Sequence, residues 1–87
     1  MSNLISILGA GESGVGSAIL AKTQGFDVWV SDYGQIEEQY KAELERHGIE
    51  FEEGIHSVKK ILGSKTIIKS PGIADNIPLL IEARSKN

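Results

Sequence analysis

The chain has 87 residues, twelve acidic against nine Lys and Arg, and no cysteine. That composition excludes a disulfide framework, a cysteine metal site and a thiol nucleophile, and the net charge of −3 argues against a general polyanion or membrane-surface binder. The length allows one small domain, of a size that buries only about 60% of its unfolded surface, and leaves no room for a multi-domain enzyme with two substrate sites.

Leu4-Ile5-Ser6-Ile7-Leu8 is a short apolar run that stops at Gly9, apolar at nearly every position as a strand covered on both faces is. A glycine-rich turn, Gly9 to Gly14, follows. Beyond it Val15, Ala18, Ile19 and Lys22 recur at helical spacing, up to a stop at Gly25. Phe26, Val28 and Val30 alternate with Asp27, Trp29 and Ser31 in a second strand that ends at Asp32. The stretch from Gln35 to His47 predicts a helix, with Ile36, Tyr40 and Leu44 on one face and Glu37, Glu38, Lys41, Glu43, Glu45 and Arg46 solvated; Gly48 ends it. Ile49-Glu50-Phe51-Glu52 reads as a short, weaker strand, and a short helix is expected around His56 to Leu62. Lys65-Thr66-Ile67-Ile68-Lys69 is a fourth strand, cut off by Ser70-Pro71-Gly72. A last helix is expected with Asp75 or Asn76 as its cap, Pro78 in its first turn, and Leu79, Leu80, Ile81 and Ala83 as apolar contacts.

Strands and helices alternate four times, without repeat, low-complexity tract or linker. Such alternation implies an α/β fold: a doubly wound parallel sheet of about four strands, order 3-2-1-4, with helices on both faces. Residues 1–87 are expected to form a single domain. No apolar run approaches the roughly 20 residues of a membrane span, and Met1-Ser2-Asn3 lacks the basic start of a signal peptide. A soluble, intracellular domain with neither nucleic-acid nor membrane partners is the expectation.

Three loops carry chemistry. Gly9-Ala10-Gly11-Glu12-Ser13-Gly14 fits G-x-G-x-x-G and sits in the context that pattern needs, after a strand and opening a helix. Gly9 allows the tight turn, Gly11 lets a ligand approach the backbone, and Gly14 lets helix and strand pack closely. Exposed N–H groups and the helix dipole then favour a phosphate. Glu12 would repel that phosphate, so either it turns to solvent or the phosphate sits shallower than in dinucleotide enzymes. Ser13 offers a hydroxyl hydrogen bond or a helix cap. Asp32 stands about 20 residues beyond the turn, where an acid contacts a ribose or a base edge and disfavours a 2′-phosphate. Ser70-Pro71-Gly72 ends strand four and faces the glycine loop across the switch point of the sheet, where such folds bind ligands.

The other candidates read as structural. His47 suits a helix C-terminus. His56 is expected in the first turn of its short helix, and Trp29 under a helix or near the surface. Glu50, Glu52 and Glu53 are expected to form a solvated edge that discourages edge-to-edge pairing. The two histidines lack close cysteine partners, so no zinc pattern forms. Neither a Ser/His/Asp set nor a carboxylate pair is legible, and no G-x-x-x-x-G-K-[ST] loop is present.

Together, Gly9-x-Gly11-x-Ser13-Gly14, the strand ending Ser31-Asp32, and Ser70-Pro71-Gly72-Ile73 resemble the N-terminal domain of the D-glutamate-adding branch of the bacterial Mur ligases of peptidoglycan synthesis. The resemblance covers nearly the whole chain in order and spacing, and the Ser-Pro-Gly-Ile element is its most discriminating piece. It implies a Rossmann-like domain that holds the uridine-diphosphate part of UDP-N-acetylmuramoyl-L-alanine. By that resemblance Glu12 and Ser13 line the diphosphate or uridine side through the glycine loop. Asp32 contacts the uracil or ribose with Tyr33 beside it, and Ser70, Pro71 and Gly72 close the other wall. Glu12 stands where the family often has a neutral or basic residue, and Tyr33-Gly34 replaces small polar or basic ones. The family also implies a cytoplasmic bacterial enzyme with a central domain for ATP and Mg2+ and a C-terminal domain for D-glutamate, its reaction passing through an acyl phosphate. The expectation is therefore a truncated domain, without cofactor, metal or ligase activity of its own. Two other functions fit the glycine loop: an NAD-binding domain of an oxidoreductase, and a regulatory nucleotide-sensing module. Glu12 crowds a buried pyrophosphate in the first, and no exposed apolar stripe supports the dimer needed by the second.

Overall fold

The structure, a computed structural model, describes residues 3–71 and 78–85. Its elements follow in the order β1 (Leu4–Leu8), α1 (Glu12–Thr23), β2 (Asp27–Asp32), α2 (Glu38–Arg46), β3 (Glu50–Glu53), α3 (Val58–Leu62), β4 (Thr66–Lys69) and α4 (Pro78–Ser85). The four strands form one sheet in the order β3-β2-β1-β4. Every pairing is parallel: Ile5 lies opposite Val28 and Thr66, and Val30 opposite Phe51. The doubly wound α/β arrangement expected from the alternation of elements is the one observed.

The two-residue period of β1 explains why both faces of the sheet are covered. Ile5 and Ile7 join Val28 and Val30 on one face, where Val15, Ala18 and Ala21 of α1 and Leu44 of α2 pack against them. Leu8 points the other way, into a smaller cluster with Ile61 of α3 and Leu80 of α4, flanked by Trp29, Leu62 and Ile67. Ile7, Leu8, Leu44 and Ile61 are fully enclosed. Each such side chain contributes roughly 1.5–3 kcal/mol relative to an exposed one. Trp29 thus lies beneath α3, with the Lys60 ammonium 4.0 Å from its ring centroid.

Two helices begin later than the hydrophobic spacing predicts. α2 starts at Glu38, not Gln35, because Glu37 is extended at its N-cap and the Ile36 N–H donates to Glu53 Oε1 at 2.8 Å. α3 starts at Val58, not His56. Ser57 is its extended N-cap, and the His56 ring is engaged by Ser31 of β2. In both places a side chain of β3 or β2 outbids the first helical turn. Asp75 and Asn76, the expected caps of α4, lie outside the described residues. Among the described residues, no helix is long and apolar enough to cross a membrane.

Candidate functional site

Because all four strands are parallel, their carboxyl ends meet at one edge of the sheet. The glycine turn leaves β1 there. Gly9 has φ 101°, a left-handed conformation open to glycine, and its N–H donates to the Ser31 carbonyl at 2.8 Å. A Cβ on Gly14 would stand 1.9 Å from the Gly9 carbonyl oxygen. Only glycine lets α1 approach the end of β1 so closely. Gly11 differs: a Cβ there would meet no atom within 4 Å. The fold requires glycine at 14 and leaves the space beside 11 open.

Gly11 is also the N-cap of α1, with no side-chain cap hydrogen bond. Ser13 therefore does not cap the helix; its side chain is exposed in the first turn, and so is that of Glu12. Of the two expectations for Glu12, orientation to solvent is the one observed. The first intrahelical bond at this end runs from the Val15 N–H to the Gly11 carbonyl at 2.9 Å. The N–H groups before it lack intrahelical acceptors and stand at the positive end of the helix dipole. Such a terminus is suited to an anion.

Asp32 ends β2 beside this turn and is tied to it. Its Oδ2 accepts the Ala10 N–H at 2.9 Å, and its Oδ1 accepts the Gly34 N–H at 2.9 Å. The carboxylate thereby braces the glycine turn against the loop after β2. Each oxygen keeps a further lone pair, so the group can still accept from a ligand hydroxyl. Tyr33, next along, is 73% exposed. On the other side of β1, the Ser70 N–H donates to the Leu8 carbonyl at 2.9 Å, which holds the end of β4 against the end of β1. Pro71 is exposed in the turn that follows. Gly72 lies outside the described residues.

Beyond Asp32 lies a polar cluster that pattern reading missed. Glu52 Oε2 accepts from the Ser31 hydroxyl at 2.7 Å, the Ser57 N–H at 2.7 Å and the Trp29 indole N–H at 3.3 Å; its Oε1 accepts from the Ser57 hydroxyl at 2.6 Å. Burial pushes the Glu52 carboxyl up, but the hydrogen bonds from Ser57, Ser31 and Trp29 outweigh it and hold the group below its ordinary value. Ser31 Oγ is also 2.6 Å from His56 Nδ1. Glu53 accepts the Ile36 N–H and pairs with Lys41 at 2.8 Å. Hydrogen bonding to Lys41 is the main cause of its lowered pKa, and the same contact raises that of Lys41. The expected solvated acidic edge is therefore corrected: Glu50 is exposed, while Glu52 and Glu53 work as internal acceptors for neighbouring loops and helices. The residue spacing does pair Ser31 with Glu52 across β2 and β3. Nothing in the sequence joins His56 to them.

A concavity of about 460 Å³ opens at the amino ends of the strands between Leu4, Lys22, Asp27, Val28, Gly48, Glu50 and Lys60. Two lysines and two acids line it, and none of its lining residues belongs to the glycine turn. The carboxyl edge is the better candidate on chemistry.

A family model described as the MurD N-terminal domain matches residues 4–77. The chain is 52% identical over 86 residues to the UDP-N-acetylmuramoylalanine–D-glutamate ligase of Cytophaga hutchinsonii, covering 99% of the chain and 19% of that relative. It is 55% identical over 82 residues to the ligase of the same name from Porphyromonas gingivalis, covering 94% of the chain and 18% of the relative. A more distant one, from Chlorobaculum tepidum, is 35% identical over 81 residues, 93% of the chain and 17% of the relative. The chain spans about a fifth of the length of the curated relatives it matches.

Proposed function

The chain belongs to the MurD N-terminal domain family, and from that premise we propose that it is the part of a D-glutamate-adding ligase that holds the uridine diphosphate of UDP-N-acetylmuramoyl-L-alanine. The single observation that carries the reading is the contrast within the glycine turn. Gly14 is packed against the Gly9 carbonyl, whereas Gly11 borders open space at the N-terminus of a twelve-residue helix. A diphosphate in that space takes the free N–H groups of the first turn of α1, and the outward Glu12 leaves the approach open. The nucleoside lies toward Asp32 and Tyr33, where the second strand of such folds meets a ribose. Ser70 and Pro71 form the opposite wall, and residues 1–87 act as one nucleotide-holding unit.

The ligase reaction, an acyl phosphate attacked by the amine of D-glutamate, is proposed for the longer protein of which such a unit is part. No loop of the ATP-binding G-x-x-x-x-G-K-[ST] type fits ATP and Mg2+ among these 87 residues. No transfer step is assigned to them; they bind and orient the nucleotide end of the substrate.

Thermal unfolding with added ligands tests the proposal. UDP and UDP-N-acetylmuramoyl-L-alanine raise the melting temperature, by an amount equivalent to roughly 2.7 kcal/mol at a hundredfold excess over Kd. NAD leaves it unchanged. A larger shift with NAD than with any uridine nucleotide contradicts the reading and favours a dinucleotide site.

A further inference from the structure

The polar cluster beyond Asp32 fixes one imidazole in a defined state. The Ser31 hydroxyl has a single proton and three neighbours: Glu52 Oε2 at 2.7 Å, the Ile55 carbonyl at 3.3 Å and His56 Nδ1 at 2.6 Å. The carboxylate of Glu52, kept ionised by four donors, has no proton to give, so the hydroxyl donates to it. Ser31 Oγ can then only accept from His56, and Nδ1 must carry a proton. In the neutral ring this leaves Nε2 as an acceptor, with no hydrogen-bond partner among the described residues. Glu, Ser and His are present, but Ser31 stands between the other two and is fully buried, so the arrangement is not a nucleophilic triad.

The ring stands beside the candidate site. His56 follows β3, the neighbour of β2 at the same carboxyl edge. Its centroid is 5.7 Å from that of Tyr33, at an interplanar angle of 57°, and Tyr33 directly follows Asp32. The two rings extend the site past the acid, on the side away from the glycine turn. A nucleotide with its diphosphate at α1 and its ribose at Asp32 places the nucleoside next to them.

We propose that His56 is a specificity-determining residue of this site, its Nε2 accepting a hydrogen bond from a donor on the nucleoside while Ser31 and Glu52 hold the ring in place. The proposal rests on the nucleotide-binding reading above. A diphosphate offers only acceptors, so it is the uracil imide N–H or a ribose hydroxyl that His56 selects. Tyr33 supplies an exposed aromatic face next to the same ring.

The test is UDP titration of the 87-residue chain and its His56 variants by calorimetry, with inorganic diphosphate as the control. His56→Ala is expected to weaken UDP about tenfold, the loss of one hydrogen bond, and to leave diphosphate unchanged. His56→Asn keeps a donor near Ser31 but not the outer nitrogen, and is expected to bind as weakly as His56→Ala. His56→Gln, which returns a polar atom to the outer position, recovers part of the affinity. Nitrogen-15 spectra of the imidazole report Nδ1 protonated in the free protein and a shift of Nε2 when UDP is added. UDP methylated at N3 and 2′-deoxy-UDP identify the donor: the one that has lost it no longer distinguishes wild type from His56→Ala. Wild-type affinity in His56→Asn, or an Nε2 signal indifferent to UDP, overturns the proposal and leaves His56 a purely structural role. Failure of the wild-type chain to bind UDP at all instead overturns the nucleotide-binding reading itself.

Discussion

The two halves of the carboxyl edge are built by opposite means. The β1 half is specified by missing atoms: Gly9 turns through a left-handed conformation, and Gly14 lacks the Cβ that would strike the Gly9 carbonyl. The β2–β3 half is specified by added polar atoms, with Glu52 gathering Trp29, Ser31 and Ser57, and Asp32 gathering Ala10 and Gly34. Steric specification is all-or-none, because close-packed backbone cannot yield by an ångström. Polar specification is divisible, since each hydrogen bond contributes about 0.5–1.5 kcal/mol net, or about 1.5–3 kcal/mol to a charged group. The two halves should therefore break differently.

The largest effect is expected at Gly14. Gly14→Ala drives a methyl into the Gly9 carbonyl, and overpacking of that kind costs typically 1–3 kcal/mol and sometimes more. For a small domain that is a large share of the total stability, so urea unfolding should show about 3 kcal/mol lost, or no folded state. A variant within about 1 kcal/mol of wild type would mean that α1 can slide away from β1, and the steric half of the comparison would fail.

Asp32→Ala comes next. It strips two backbone N–H groups of their charged acceptor, for an expected loss of about 2 kcal/mol in the same measurement. Amide exchange at Ala10 and Gly34 should accelerate more than exchange within β1. Uniform acceleration would show that Asp32 does not brace the two loops separately from the sheet.

Glu52→Gln is expected to lose about 1–2 kcal/mol at neutral pH, since the amide turns a donor toward groups that already donate. Glu52 also sets a pH dependence. Its pKa is lowered in the folded chain, so the stability it adds is present above its ordinary value of 4.5 and is lost as pH falls below that value. Wild type should lose stability more steeply than the variant in that acid range. Parallel curves would remove Glu52 as a source of the slope and leave Glu53, which is shifted in the same direction by Lys41.

The same contrast decides what could be read from the sequence. Steric requirements leave glycines in a fixed order, so Gly9, Gly11 and Gly14 marked the turn, and the apolar strands on either side gave the parallel order 3-2-1-4. Asp32 was legible as a position, at the end of the second strand. Its bracing of Ala10 was not, because a carboxylate that accepts from two loops looks like any turn-forming Asp. Glu52 read as a solvated acid because its four donors come from β2 and from the loop before α3. His56 read as a first-turn residue because only the pairing of β2 with β3 brings Ser31 within 2.6 Å of it. Alternation predicts which face a side chain takes. It does not predict which loop folds back to meet that face.

Gly11 tests the central claim most directly, because there the demands of the fold and of the ligand separate. Its φ of −85° suits any residue, and a Cβ would meet open space. Gly11→Ala should unfold within about 0.5 kcal/mol of wild type, yet bind UDP at least about tenfold more weakly, because the methyl occupies the space of the diphosphate. Unchanged UDP affinity at unchanged stability would contradict the account and move the nucleotide away from the glycine turn.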